Sequence, residues 1–252
     1  MENIKSSETS EINELISKYS PFILEIRKRV IFTLFVFVLG MIVGFIYHEK
    51  IIKFVIDIFS LQGVNIVFTS PFQFINLAIS SGIATGLVLV FPLLIYQIFS
   101  FLKPALKNTE FNMIVRLLPF SIGLFLAGFS FGIYIMKWQI QLFLAKSISL
   151  GIGNILDISR LMSTVLLVSV FMGIAFQFPI ILLLLLRLGI INNSQLANQR
   201  PWVYLGSIIF TILLPLDSIL ADAILVLPLV ILFELTLILN RIFERKKVAY
   251  SG

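Results

Sequence analysis

The chain of 252 residues has no cysteine, one histidine, 59% apolar and 13% charged residues, a formal charge of +6 and a mean hydropathy of +1.05. Charged residues at half the usual share of about 25% cannot clothe a soluble core, and the lone His48 rules out a Cys/His metal or haem centre. A soluble enzyme, a disordered chain and a disulfide scaffold are excluded. An integral membrane protein remains: the basic balance fits membrane flanks and a nucleic-acid binder equally well, and hydropathy decides for the membrane.

Residues 1–29 read as an N-terminal segment on the cytoplasmic or stromal side. In it Ile12, Leu15, Ile16 and Tyr19 recur at helical spacing among Glu11, Asn13, Glu14 and Lys18, the pattern of a short amphipathic helix lying on the bilayer. Ser20-Pro21 reads as a helix start. Arg27-Lys28-Arg29 precedes a first span at Val30–Tyr47, and no small-residue cleavage site follows Leu39-Gly40, so this helix is read as retained. Further runs long enough for an apolar layer of about 30 Å are Phe74–Ser100, Phe111–Met136, Ser163–Leu186 and Ala221–Asn240. Trp202–Leu216 spans only about 22 Å, so the membrane thins there or the helix ends inside it, at Pro215. Residues 241–252 form a basic tail. The expected fold is all-α: residues 30–240 as six transmembrane helices, the last two short, in an open-sided bundle bent at Pro92, Pro119, Pro179, Pro215 and Pro228.

Six spans leave both termini on one side. Of the 19 Lys and Arg, only Lys50, Lys53, Lys137, Lys146 and Arg160 fall opposite. The positive-inside rule therefore places both termini in the cytoplasm, or in the stroma or matrix of an organelle.

Gln177, Asp217, Asp222 and Glu234 lie at or near membrane depth. A carboxylate at the centre of a span costs on the order of 2.5–3.5 kcal/mol, so each is a functional candidate. Gln177, between Phe176 and Phe178, needs hydrogen-bond partners rather than a counter-ion. Asp217 and Asp222 share the loop between spans five and six, where water is the plainer reading. On the basic face stand two glutamates, Glu25 and Glu110. Glu25 is in register for an i,i+4 pair with Arg29, worth a few tenths of a kcal/mol. With Glu110 it would instead make an acidic site for a cationic ligand. No nucleotide-binding glycine loop, nucleophile elbow or facing aspartyl pair is present, so neither enzyme nor cofactor is expected. A second reading is a six-span solute transporter with Gln177, Asp217 and Glu234 at a midplane site. The absence of an internal repeat counts against it.

Several motifs together carry a resemblance from about Pro21 to Asn240. They are Leu24-Glu25-Ile26-Arg27-Lys28-Arg29; Ser70-Pro71-Phe72; Phe91-Pro92 with Tyr96-Gln97 and the stretch from Phe101 to Glu110; Gly173 to Pro179; Pro215-Leu216-Asp217; Leu227-Pro228; and Phe233-Glu234. The chain resembles the TatC family, the multispan receptor of the twin-arginine protein translocase. The resemblance implies binding of twin-arginine signal peptides of folded cargo. It further implies assembly with single-span TatA- and TatB-type subunits and other TatC copies, and transport driven by the proton-motive force. It also implies that Glu25 and Glu110 face the two arginines, with Arg27 and Phe101 on the same surface and Gln97, Gln177, Asp217 and Glu234 as polar contacts for partners. Carboxylates suit that task because a guanidinium binds them through two charge-assisted bonds, which lysine cannot reproduce. The sequence departs from the family pattern at Gln177, often Glu, and at Asn76, Trp138, Leu161 and Leu216. Gln177 and the abundance of Ile, Phe, Leu and Asn point to a plastid thylakoid ahead of a bacterial plasma membrane or a mitochondrial inner membrane.

Overall fold

The computed structural model describes the backbone of residues 2–59, 65–67, 70–102, 108–151, 155–187, 189–216 and 218–249. It describes the side chains of residues 23–59, 70–101, 117–151, 157–186, 189–192, 194–216 and 218–241. The elements in chain order are α1 (Glu2–Ile46), α2 (His48–Phe59), β1 (Asn65–Val67), α3 (Phe72–Leu102), α4 (Asn108–Ser149), β2 (Ile155–Asp157), α5 (Ile158–Ala175), α6 (Phe178–Arg187), α7 (Asn193–Asn198), α8 (Arg200–Ile212) and α9 (Ile219–Ala249).

Among the described residues five stretches are long and apolar enough to cross a membrane: Ile23–Ile46, Phe72–Phe101, Leu117–Ser149, Ile158–Leu186 and Ile219–Arg241. They match five of the six expected runs. The sixth, Trp202–Leu216, forms α8, whose 13 residues reach about 20 Å, two-thirds of an apolar layer. Six full crossings are therefore not seen. The helix stops at Ile212, three residues before Pro215. The last helix was expected to be short as well. Instead α9 runs on to Ala249, because the Arg, Glu and Lys beyond Asn240 are good helix formers and carry the helix past its apolar segment.

Other boundaries also differ. α1 passes through Ser20-Pro21 without starting there; a long helix absorbs one missing donor. The third run, expected to end at Met136, continues to Ser149, since hydropathy marks where apolar residues stop and not where hydrogen bonding stops. The loops at that end carry the helix α2 and a parallel pair, β1 with β2, in the register Asn65↔Ile155, Ile66↔Leu156 and Val67↔Asp157. Asp157 caps α5 by accepting from the backbone N–H groups of Ser159 and Arg160 at 3.0 and 3.1 Å. Its other oxygen accepts from Gln73 Nε2 at 2.6 Å, pinning the start of α5 to the start of α3.

The core centres on α5 and α6. Their apolar window is 67% buried, against 11% for that of α1. Met162, Val165, Val168 and Met172 of α5 are fully enclosed, and the cluster extends to Phe59, Ile135 and Leu225. Glycines set the closest approaches. A Cβ on Gly86 of α3 would lie 2.9 Å from the Phe37 carbonyl of α1, and one on Gly132 of α4 would lie 2.6 Å from the Ser169 Cα of α5. Small residues permit such contact where apolar burial drives no association.

Candidate functional site

The basic end of α1 meets the end of α3 through Arg29. Its Nε and Nη2 donate to Glu25 Oε1 at 3.1 and 2.6 Å. Its Nη1 donates to the Gln97 carbonyl at 3.1 Å, and Nη2 also reaches Ser100 Oγ at 3.3 Å. The Glu25 pair that sequence spacing allows is therefore formed, and it is tied to a second helix 68 to 71 residues away. Helix geometry explains the meeting: residues 25 and 29 share a face of α1, and 97 and 100 share a face of α3. Beside the pair opens a groove of about 380 Å³ lined by Glu25, Lys28, Arg29, Phe32, Leu93, Tyr96 and Gln97. Gln97 Nε2 is buried there with no hydrogen-bond partner among the described residues.

The structure thus brings Glu25 and Gln97 to one groove. Arg27 is exposed on α1 and does not line it. Phe101 is half-buried in the last turn of α3. Glu110 lies in the first turn of α4, but its side chain, like all of Asp217, falls outside the described residues.

Gln177 and Glu234 sit elsewhere, each held by its own chain. Pro179 has no N–H, and the helix breaks there: Gln177 N donates to Ile174 O at 2.9 Å, a tighter turn, before α6 begins. The Gln177 side chain, 2% exposed, accepts from Ser121 Oγ at 2.6 Å and donates to the Ser121 carbonyl at 3.1 Å. Both ends of the amide are thereby satisfied across α4 and the α5–α6 break. Glu234 of α9 accepts from Arg200 Nη2 at 2.9 Å and from Tyr204 Oη at 2.6 Å, both on α8. Ionisable groups at membrane depth pair in this way to offset desolvation. Sequence reading missed Ser121, Arg200 and Tyr204, which lie 56, 34 and 30 residues from their partners, beyond any local pattern.

A wider cavity of about 620 Å³, at the other end of α4 and α5, is walled by Trp138, Phe143, Lys146, Arg160 and Pro215 among others. None of the residues singled out in the sequence for a site lines it.

Comparison with known proteins agrees with the fold. The family model for TatC, described as Sec-independent protein translocase protein, matches residues 21–228. The protein translocase protein TatCy of Bacillus subtilis is 30% identical over 231 residues, 89% of each chain. The TatC protein of Aquifex aeolicus is 29% identical over 88% of this chain and 94% of its own. A crystal structure of the twin arginine translocase receptor TatC superposes with a TM-score of 0.77 at 25% identity, covering 86% of this chain and 98% of that one.

Proposed function

The chain belongs to the TatC family of Sec-independent protein translocase proteins, and from that premise we propose that it is the receptor that reads paired arginines on the signal peptides of folded cargo. In this reading Glu25 and Glu110 each take one arginine, and Arg27 and Phe101 flank them. The observation that carries it is the groove beside Glu25, where a carboxylate already holds a guanidinium in a forked contact at 2.6 and 3.1 Å. Carboxylates are scarce on a strongly basic face, and an exposed one beside a groove is suited to a cationic ligand.

The receptor sits in an energy-transducing membrane with both termini on the cytoplasmic or stromal side. α8 enters the bilayer without crossing it fully, and single-span TatA- and TatB-type subunits and further copies of the chain complete the machine. The two relatives named above are bacterial, and they lend the plastid location no support. The transporter reading loses two of its three midplane groups, because Gln177 is closed by Ser121 and Glu234 by Arg200 and Tyr204.

Binding of a twin-arginine peptide to the detergent-solubilised protein tests the proposal. A contact pair at 4 Å is worth about 4 kcal/mol at an effective dielectric near 20, before desolvation. Net of desolvation, a hydrogen bond to a charged group is worth about 1.5–3 kcal/mol, and Glu25, 44% exposed, falls at the low end, about tenfold in affinity. Glu110→Ala should cost at least that factor, and adding Glu25→Ala should nearly abolish binding. Exchanging Arg-Arg for Lys-Lys in the peptide should reproduce part of the loss, and added salt should weaken binding. A double variant that binds like the wild type would refute the assignment. Topology is checked by protease-accessible tags: residues 1 and 252 should report one side and the loop at Gly151 the other.

A further inference from the structure

We infer that Arg29 is a resident placeholder for the ligand: its guanidinium fills the receptor site of an incoming arginine, and the peptide binds by exchange with it. The inference rests on the receptor reading above and adds how the empty site is kept closed. Around Arg29 converge the Glu25 carboxylate, the Gln97 carbonyl and the Ser100 hydroxyl, drawn from two helices and all able to accept. The Gln97 carbonyl belongs to the penultimate turn of α3, and its second lone pair is open to a side-chain donor. This is a finished guanidinium site, and its occupant belongs to the chain.

Two further observations fit an exchangeable occupant. The side chains of Arg29 and Glu25 are 25% and 44% exposed, so the pair is bordered by water and held weakly. The adjoining groove offers an apolar wall of Phe32, Leu93 and Tyr96, and the unpartnered buried Gln97 Nε2 is a donor suited to a backbone carbonyl. Exchange explains selectivity: an incoming arginine restores every bond that Arg29 gives up, whereas a lysine ammonium lacks the fork and cannot. Without a placeholder, Glu25 would face the groove as a bare carboxylate open to any cation.

The test uses the full-length protein in detergent. Arg29→Gln should bind the Arg-Arg peptide roughly two- to fivefold more tightly than wild type, the factor released when an exposed pair no longer competes. Its discrimination against Lys-Lys should shrink. Because Arg29→Gln also loosens α1 from α3, a peptide-free arm accompanies it. Millimolar methylguanidinium should raise the Tm of Arg29→Ala, but not of wild type or of Arg29→Ala combined with Glu25→Gln. Peptide affinity of Arg29→Gln at or below the wild-type value, with no methylguanidinium effect on Arg29→Ala, overturns the placeholder. Failure of the wild type to bind any Arg-Arg peptide refutes the receptor reading instead, and the methylguanidinium arm still decides whether a guanidinium site exists.

Discussion

Two arginine–carboxylate pairs in this chain look alike and differ in what surrounds them. Glu25 and Arg29 are one turn apart on α1, at 2.6 Å, beside an open groove. Glu234 and Arg200 are 34 residues apart on α9 and α8, at 2.9 Å, and Tyr204 takes the second Glu234 oxygen. In the first pair one Glu25 oxygen takes both arginine bonds. In the second both carboxylate oxygens are used, and Arg200 borders a pocket of about 40 Å³, against about 380 Å³ beside Glu25. The two pairs are similarly exposed, 25% and 44% against 46% and 30%, so the groove is what separates them: a pair beside a wide groove can trade partners, whereas one whose carboxylate is filled from two directions acts as a strut.

The largest effect that separates them is on peptide binding. Glu25→Ala should weaken the Arg-Arg peptide about tenfold, whereas Glu234→Ala should leave its affinity unchanged, both measured by titration in detergent. Loss of binding in Glu234→Ala with an unaltered Tm would put Glu234 in the recognition site and erase the distinction. Next in size is stability, with the order reversed. Glu234→Ala leaves Tyr204 and Arg200 without their acceptor. Arg200 is 46% exposed and can turn to water, so the cost is about 1 kcal/mol, a Tm lower by roughly 2–4 °C. Glu234→Gln should recover part of that, since an amide oxygen still accepts from Tyr204. Equal stability of both variants and wild type would leave the strut without energetic content.

The same contrast explains what was legible in the sequence. Glu25–Arg29 is a local pair, readable from spacing alone, and so are the apolar windows of α1, α3, α4, α5–α6 and α9. Arg200–Glu234 and Ser121–Gln177 are tertiary, and no period in a single chain announces them. Their signal was indirect: a polar group at membrane depth demands a partner, without saying which. The close helix contacts did leave a trace. Gly82 and Gly86, Gly40 and Gly44, and Gly128 and Gly132 are each four residues apart, on one helix face, and they mark the α1–α3 and α4–α5 seams. The overrun of α4 to Ser149 and of α9 to Ala249 was hidden because hydropathy reports the membrane and not the helix.

The smallest effect belongs to Gln177, which tests whether its buried amide serves the fold or a partner. Gln177→Leu removes two bonds to Ser121, yet a serine in a helix can turn its hydroxyl to the carbonyl four residues back. Ser169 and Thr85 already do so, at 2.7 and 2.8 Å. Each bond between membrane helices is worth about 0.6 kcal/mol on average and at most about 1.7. With the hydroxyl re-bonded, the Leu variant should lose about 0.6 kcal/mol, read as a small fall in Tm, with crosslinking to single-span subunits retained. Gln177→Glu should cost less, because a protonated carboxyl group offers the same donor and acceptor to the Ser121 carbonyl and hydroxyl. Crosslinking that fails in the Leu variant while its Tm stays at the wild-type value would mean that Gln177 leaves Ser121 for a partner helix. The amide would then belong with Glu25, as a group that exchanges its internal bond for an external one, and not with Glu234.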